Sequence, residues 1–152
     1  LKVNYECAVD TIRIRTDILH IHPHFRGHPR YDHVLLRLSA QQYIFAQLLH
    51  VFSTRFEQDT YHLALVLPMD RSIPMLNRRR DTDLRFTRVC SRPRSEATVI
   101  NTTMIVRGAL LAPAFGSNTN GEYIVMEVVD DDLWYRLRTQ QVKLVYNVNL
   151  NN

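Results

Sequence analysis

The amino-acid sequence predicts a small, mainly β domain: a partly open barrel with one short helix near the C-terminus. Two apolar runs, Tyr43–Phe52 and Tyr61–Met69, are rich in aromatic and β-branched residues and flank a polar stretch, Ser53–Thr60. Runs of this composition favour central strands, and the polar stretch between them favours the loop of a hairpin. Alternating apolar and polar residues over Leu84–Cys90 and Val142–Leu150 predict two further strands with one buried face each.

The first half of the chain supplies shorter elements. Alternating charge at Thr11–Arg15 predicts an edge strand. Two prolines and a glycine in His22–Arg30 predict an irregular loop, because these residues break strand pairing. Val34–Leu38 is predicted as a short strand, and Pro68–Asp83 as a loop that carries an arginine run.

The second half is predicted to hold more strands and the helix. Ala97–Leu111 has the β-branched content of strands, with a turn near Asn101–Thr103, and Glu122–Val129 is a further strand. The composition of Gly116–Gly121 predicts a loop. Asp130–Asp132 precede the apolar Leu133, Trp134 and Leu137, and Arg136 and Arg138 stand at the end, the charge order of a short helix. Without repeats or a linker, residues 1–152 are predicted to form a single domain of about seven or eight strands.

Length, charge and cysteine content narrow the class of protein. A chain of 152 residues fits one domain, and its net charge of +4 permits polyanion binding without requiring it. No apolar run approaches the roughly 20 residues of a spanning helix, so we expect no membrane partner. Cys7 and Cys90 are expected to be buried, reduced thiols of an intracellular protein, with a disulfide between them as the alternative.

Five segments spread over nearly the whole chain carry a resemblance: Leu1–Tyr5, His28–Asp32, Tyr43–Phe52, Ile105–Phe115 and Val128–Leu137. In this order they resemble a region near the end of large basidiomycete transposon-associated proteins of the Plavaka and Kyakuja–Dileera–Zisupton kind. That region in turn is similar to the bromo-adjacent homology (BAH) domain at Phe45–Gln47, Leu65–Met69 and Met104–Arg107. The resemblance implies a BAH-like or SH3-like partly open barrel that acts as a chromatin interaction module in a fungal protein, nuclear or otherwise intracellular.

The BAH resemblance also raises the question of an aromatic pocket for methylated lysine. In such readers a tryptophan near the end of the second strand forms one wall of the pocket, where this chain has Leu67–Met69. None of these residues supplies the ring quadrupole that attracts a cation. The remaining local aromatic candidates are Tyr43, Phe45 and Tyr61, which are more typical of a strand core, so trimethyl-lysine binding is not favoured.

A cluster of histidines is the main candidate for a metal site. His20, His22 and His24 would share one face of an extended strand, and imidazole is a common zinc ligand. No paired cysteines or set of carboxylates accompanies them. The expected state is a solvated loop without metal, and a metal-dependent hydrolase is the alternative.

The strongest functional signal is a set of seven arginines within residues 78–94: Arg78, Arg79, Arg80, Arg85, Arg88, Arg92 and Arg94. A guanidinium fork matches the oxygens of a phosphate, so an exposed face of this kind predicts binding to the backbone of a nucleic acid. Few aromatic residues lie among these arginines, so stacking on single-stranded bases is not expected. A solvated surface without function is the alternative.

We therefore expect a non-enzymatic interaction module whose partner is nucleic acid, a chromatin protein or another part of a transposon-encoded protein. No phosphate-binding glycine loop is present, and no cofactor is expected. The competing hypothesis is a structural domain that forms a homo-oligomer through an edge strand at Val142–Leu150. A continuous basic surface would favour the first hypothesis, and an exposed apolar edge would favour the second.

Overall fold

The computed structural model describes residues 1–10, 12–73, 81, 83–115, 121–139, 143–148 and 150. Of these residues, 54% lie in strands and 15% in helices, which confirms a mainly β fold. The strands are β1 (Lys2–Glu6), β2 (Ile14–Ile18), β3 (Ile21–Phe25), β4 (His28–Tyr31), β5 (His33–Arg37), β6 (Gln42–Phe56), β7 (Asp59–Pro68), β8 (Arg88–Cys90), β9 (Thr98–Asn101), β10 (Ile105–Ala109), β11 (Leu111–Pro113), β12 (Glu122–Val125) and β13 (Lys143–Leu144). The predicted helix near the C-terminus is confirmed as α1 (Asp131–Arg138).

The central sheet has the strand order β10-β5-β6-β7-β9, and β13 runs parallel to the start of β6. The two apolar runs predicted to be central are β6 and β7, at the middle of this order. Three smaller sheets surround it: β1-β2, β3-β4 and β11-β12-β8. Over the described residues, the sheets do not close into a barrel.

Both faces of the central sheet are buried at β5 and at the adjoining halves of β6 and β7. Neighbouring residues of β5 alternate between two apolar clusters: Val34 and Leu36 belong to one, and Leu35 belongs to the other. The first cluster adds Leu19 from the chain before β3, and the second adds Leu133 from α1. A strand that is covered on both faces has a continuous apolar sequence, which explains the composition of β5 and of the first half of β6.

The long hairpin corrects the loop predicted at Ser53–Thr60. The two strands continue through this stretch, and only Glu57 and Gln58 form the turn between Phe56 and Asp59. The distal strand residues are exposed, so their polarity reflects contact with water on both faces rather than a loop. Thr54, Thr60 and Tyr61 are residue types that favour extended backbone.

The loop predicted over His22–Arg30 is also wrong, because β3 and β4 form a second hairpin. Arg26 and Gly27 connect the strands with φ angles of 49° and 85°, the positive values of a type I′ turn. Pro23 and Pro29 are tolerated because a two-stranded ribbon has outward positions at which no N–H is needed for pairing.

The strand predicted over Leu84–Cys90 is confirmed only at its end, in β8. Leu84 and Phe86 are exposed, whereas Arg88 is half-buried, the reverse of the predicted faces. The reason is an ion pair: the guanidinium of Arg88 reaches inward to the Asp81 carboxylate. The predicted loop before this segment falls partly on residues 74–80 and 82, which lie outside the described residues.

The final strand predicted over Val142–Leu150 is confirmed only at β13; positions 142 and 149 lie outside the described residues. Asn147 has a φ of 55°, which interrupts an extended strand. The carbonyl oxygen of Asp70 accepts the N–H of Asn147 at 2.8 Å, and the Asp70 carboxylate accepts the N–H of Val148 at 2.6 Å. The backbone at Asn147 and Val148 is therefore hydrogen-bonded to Asp70 of the same chain and does not form a free strand edge.

Other boundaries agree with the sequence or shift by a few residues. The turn predicted near Asn101–Thr103 is a short 3-10 helix, Thr102–Met104, between β9 and β10. β12 ends at Val125, and a further 3-10 helix, Glu127–Val129, follows it; another, Arg94–Glu96, lies between β8 and β9. The edge strand predicted at Thr11–Arg15 begins later, as β2. Most of the predicted loop Gly116–Gly121 lies outside the described residues.

A buried cluster of charges joins the small β1-β2 sheet, β10 and α1. Arg107, 4% exposed, donates to Asp132 at 2.6 Å and to both carboxylate oxygens of Asp130. Arg136 donates to Asp132 at 2.8 Å, and the guanidinium of Arg107 lies 4.5 Å from the ring centre of Tyr5. Burial alone would lower the pKa of Arg107, but Asp130, Tyr5 and Asp132 together outweigh this effect and hold the pKa above its ordinary value. The Arg107 guanidinium is therefore charged throughout the physiological range.

Both thiols are free and buried: Cys7 is 0% exposed and Cys90 is 4% exposed. This confirms the prediction of buried thiols without a disulfide. No helix among the described residues combines the length and the apolar character that crossing a bilayer requires.

Removing the Arg107 guanidinium is expected to destabilise the fold strongly. In Arg107→Ala, Asp130 and the fully buried Asp132 lose a partner, at a cost of about 3–5 kcal/mol. The free energy of unfolding is measured by urea titration, with Trp134 fluorescence as the signal. Arg13→Ala, at an exposed ion pair, serves as the control and should change stability by no more than about 0.5 kcal/mol. Equal losses in the two variants would contradict a structural role for the buried cluster.

The thiols are expected to react slowly in the native protein. Burial shields both sulfurs and raises the pKa of the Cys90 thiol, which lowers the fraction of reactive thiolate. Ellman's reagent should label Cys7 and Cys90 far more slowly in the folded protein than in guanidinium chloride. Rapid labelling of the folded protein, or a disulfide mapped between the two residues, would contradict this prediction.

Candidate nucleic-acid interface

The structure does not gather the four described members of the predicted arginine set on one exposed face. Arg78, Arg79 and Arg80 lie outside the described residues. Arg88 is committed to internal contacts: Nε and Nη2 donate to the Asp81 carboxylate at 2.6 and 2.8 Å, and Nη1 donates to Glu122 at 2.9 Å.

Arg92 is also committed to an internal contact. Its Nε and Nη2 donate to the two carboxylate oxygens of Asp70, each at 2.6 Å, and Nη2 also donates to the carbonyl of Val148. Asp70 is fully buried, and its hydrogen bonds hold the pKa of Arg92 above its ordinary value. This arginine therefore secures the C-terminal segment to β8.

The two remaining described members of the predicted set are exposed. Arg85 precedes β8 with a φ of 55°, and its carbonyl accepts a hydrogen bond from Arg138. Arg94 extends over the ring of Tyr31, with its guanidinium carbon 5.7 Å from the ring centre. Arg94 thus borders the β3-β4 hairpin rather than a row of arginines along β8.

The β3-β4 hairpin carries cations that the sequence analysis did not select. The guanidinium carbons of Arg26 and Arg30 lie 5.5 and 5.2 Å from the ring centre of Phe25. The Arg26-Gly27 turn places Arg26 at the tip. The loop predicted over this segment gave no reason to place these arginines beside Phe25. Glycine in the second turn position, however, is a recognisable sequence signal for a hairpin.

A cleft of about 590 Å³ lies between this hairpin and the β10-β11 junction. Phe25, Arg30 and Tyr31 line it on the hairpin side, and Leu110 lines it on the opposite side. Two carboxylates, Asp17 and Asp32, also line it. The cleft therefore combines apolar and aromatic side chains with polar groups that supply about half of its lining.

The Asp32 carboxylate is ionised and held in place by neighbouring donors. Burial alone would raise its pKa, but the backbone N–H of His20 at 2.7 Å and Nε of Arg30 at 3.1 Å outweigh that effect and lower it. The imidazole Nδ1 of His20 also lies 3.1 Å from this carboxylate. Arg30 donates to Asp32 through Nε, and this hydrogen bond orients the two terminal nitrogens of the Arg30 guanidinium.

His33 is a neutral group beside the cleft. Burial lowers the pKa of its imidazole to about 4, and the ring packs 5.2 Å from that of Tyr123. Its Nε2 is buried and has no hydrogen-bond partner among the described residues. The positive charges that border the cleft therefore come from arginines rather than from this histidine.

The predicted aromatic pocket is not formed. Phe45 is 1% exposed and lies in the apolar cluster of the central sheet, against which Tyr43 packs. Tyr61 lies opposite Thr54 on the distal hairpin, nine residues further along β6 than Phe45 and roughly 30 Å away at about 3.3 Å per residue. Three rings so far apart cannot surround one cation.

The predicted histidine trio is dispersed along the hairpin. His20 contacts Asp32, whereas Nδ1 of His22 accepts the backbone N–H of His24 at 3.1 Å. Within the described ranges, no group of three or more His, Cys, Asp or Glu side chains is placed to hold a metal ion.

Comparisons with family models, curated proteins and solved structures found no match for this chain. The resemblance to transposon-associated and BAH-like proteins therefore stays a prediction from the sequence motifs.

His33 is expected to make stability fall with pH in the mildly acidic range. The unfolded imidazole takes up a proton near its ordinary pKa of about 6.5, whereas the folded one does so only near 4. Stability should therefore decrease by about 3 kcal/mol as the pH falls from about 6.5 to 4. Unfolding by urea at several pH values measures this dependence.

His33→Gln should flatten that dependence, and His50→Gln, at an exposed position, should keep it. The same pH dependence in wild type and His33→Gln would show that His33 does not cause the effect.

Proposed function

We propose that this chain is a non-enzymatic module that binds nucleic acid through a hairpin surface. We define the hairpin surface as the guanidinium groups of Arg26, Arg30 and Arg94 with the rings of Phe25 and Tyr31. One observation carries the proposal: three guanidinium groups lie over two aromatic rings that line a single cleft. This arrangement replaces the arginine face expected from residues 78–94.

The stacked arginines are suited to phosphate. A guanidinium that rests on a ring keeps its planar fork of donors available, and such a fork matches two oxygens of a phosphate. Positions over a ring also restrict the side chain before binding, so less conformational entropy is lost on contact.

The ion pairs distinguish Arg26 and Arg94 from the other arginines, whereas Arg30 pairs with Asp32 through Nε at 3.1 Å. Arg88 and Arg92 each bind carboxylates inside the fold, whereas Arg26 and Arg94 pair with no carboxylate within the described ranges. The net charge of +4 favours encounter with a polyanion. A nuclear location and a chromatin setting accord with this proposal and with the motifs shared with transposon-associated proteins.

The proposal predicts that the charge of the hairpin surface sets the affinity for duplex DNA. The variant Arg26→Gln/Arg30→Gln/Arg94→Gln should weaken binding at least about tenfold at low salt, because up to three phosphate contacts are lost. The slope of log K against log salt should become shallower by up to about 3. Fluorescence anisotropy at several salt concentrations measures both quantities.

The matched control is Arg13→Gln/Arg37→Gln/Arg55→Gln, which removes the same charge from exposed positions elsewhere. It should weaken binding far less than the hairpin variant. A third variant, Arg78→Gln/Arg79→Gln/Arg80→Gln, tests the face first expected from the sequence. Equal effects of the hairpin variant and the control, or no binding by wild type at about 50 mM salt, would overturn the proposal.

A further inference from the structure

We infer that the cleft beside the hairpin surface accepts one unpaired base, so that the module prefers single-stranded over duplex nucleic acid. This inference rests on the proposed function and names the form of nucleic acid that the same surface takes. It also reverses the expectation from the sequence that base stacking plays no part.

The walls of the cleft suit a planar, largely apolar group. Phe25, in the wall formed by the hairpin, is 38% exposed, and Leu110, in the wall formed by the β10-β11 junction, is 56% exposed. The volume of about 590 Å³ lies within the range of about 300–1,000 Å³ that is usual for small-ligand sites. Stacking of a base on an aromatic side chain is tolerant of sequence because every base has a π face.

The distribution of charge determines which end of a nucleotide enters. Asp17 and Asp32 line the interior, and an ionised carboxylate there repels a phosphate. Arg26 and Arg94 lie over the rings that form part of the wall, where a phosphate is attracted. The base therefore points inward, and the backbone stays beside the arginines.

The carboxylates also provide hydrogen-bond acceptors for a base. The exocyclic amino groups of adenine, cytosine and guanine are hydrogen-bond donors, and a carboxylate accepts only. In a duplex these edges are paired and the faces are stacked, so a base must first be unpaired and extruded before it can enter, which costs free energy. A single strand avoids most of this cost.

The test compares three probes of equal length: single-stranded DNA, an abasic phosphodiester strand and duplex DNA. The wild-type protein should bind the single strand at least about fivefold more tightly than the abasic strand, because stacking and burial of one base add to backbone contact. It should also bind the single strand more tightly than the duplex.

Two variants test whether the extra affinity for the single strand over the abasic strand arises in the cleft. Leu110→Gln changes a wall that holds none of the three arginines, and it should bring the ratio of single-strand to abasic affinity close to one. Phe25→Leu should lower the same ratio, whereas Phe56→Leu, at an exposed ring on the distal hairpin, should leave it unchanged. The ratio is insensitive to a general loss of backbone affinity, since both probes carry the same phosphates.

Failure of the inference is distinguishable from failure of the proposed function. Equal affinity for the single strand and the abasic strand, or tighter binding to the duplex, overturns the inference and leaves polyanion binding intact. A single-strand preference that survives in both cleft variants overturns the assignment to this cleft. Absence of binding to all three probes overturns the proposed function itself.

Discussion

The fold depends on arginine side chains that neutralise buried carboxylates. Asp70 and Asp132 are both fully buried, and each binds the guanidinium of an arginine from another part of the chain. A buried carboxylate without a partner would cost several kcal/mol, so each contact determines which segments lie together. Arg107 brings β10 to the start of α1, and Arg92 brings β8 to the C-terminal segment.

This use of arginine also determines which cations remain available to a partner. A run of arginines in the sequence suggested one basic face, but the structure divides its four described members between internal contacts and the surface. The proposed interface is assembled instead from a hairpin near the start of the chain and from Arg94, more than sixty residues later. The surface charge of such a domain follows from its ion pairs as much as from its composition.

Much of the architecture was accessible from sequence pattern, since the apolar runs of β6 and β7 and the acid-to-base order of α1 are local signals. The errors arose where tertiary contacts override such signals. Phe86 and Arg88 exchange their expected exposures because Asp81 pairs with the arginine. Pro23 and Pro29 argued against strands, but β3 and β4 form an isolated ribbon that tolerates them. The candidate site lay beyond local pattern because the cleft needs both the hairpin and Leu110.

The turn at the tip of the β3-β4 hairpin has a further consequence for how the domain can be altered. Arg26 adopts a φ of 49°, a left-handed backbone conformation that asparagine and glycine adopt at lower energetic cost than a residue with a long side chain. A more favourable turn residue at this position would favour folding while removing a cation from the ring of Phe25. For the proposed interface, thermal stability and ligand affinity therefore oppose each other at this single position, and selection for a more heat-resistant domain would tend to erode the proposed contact surface.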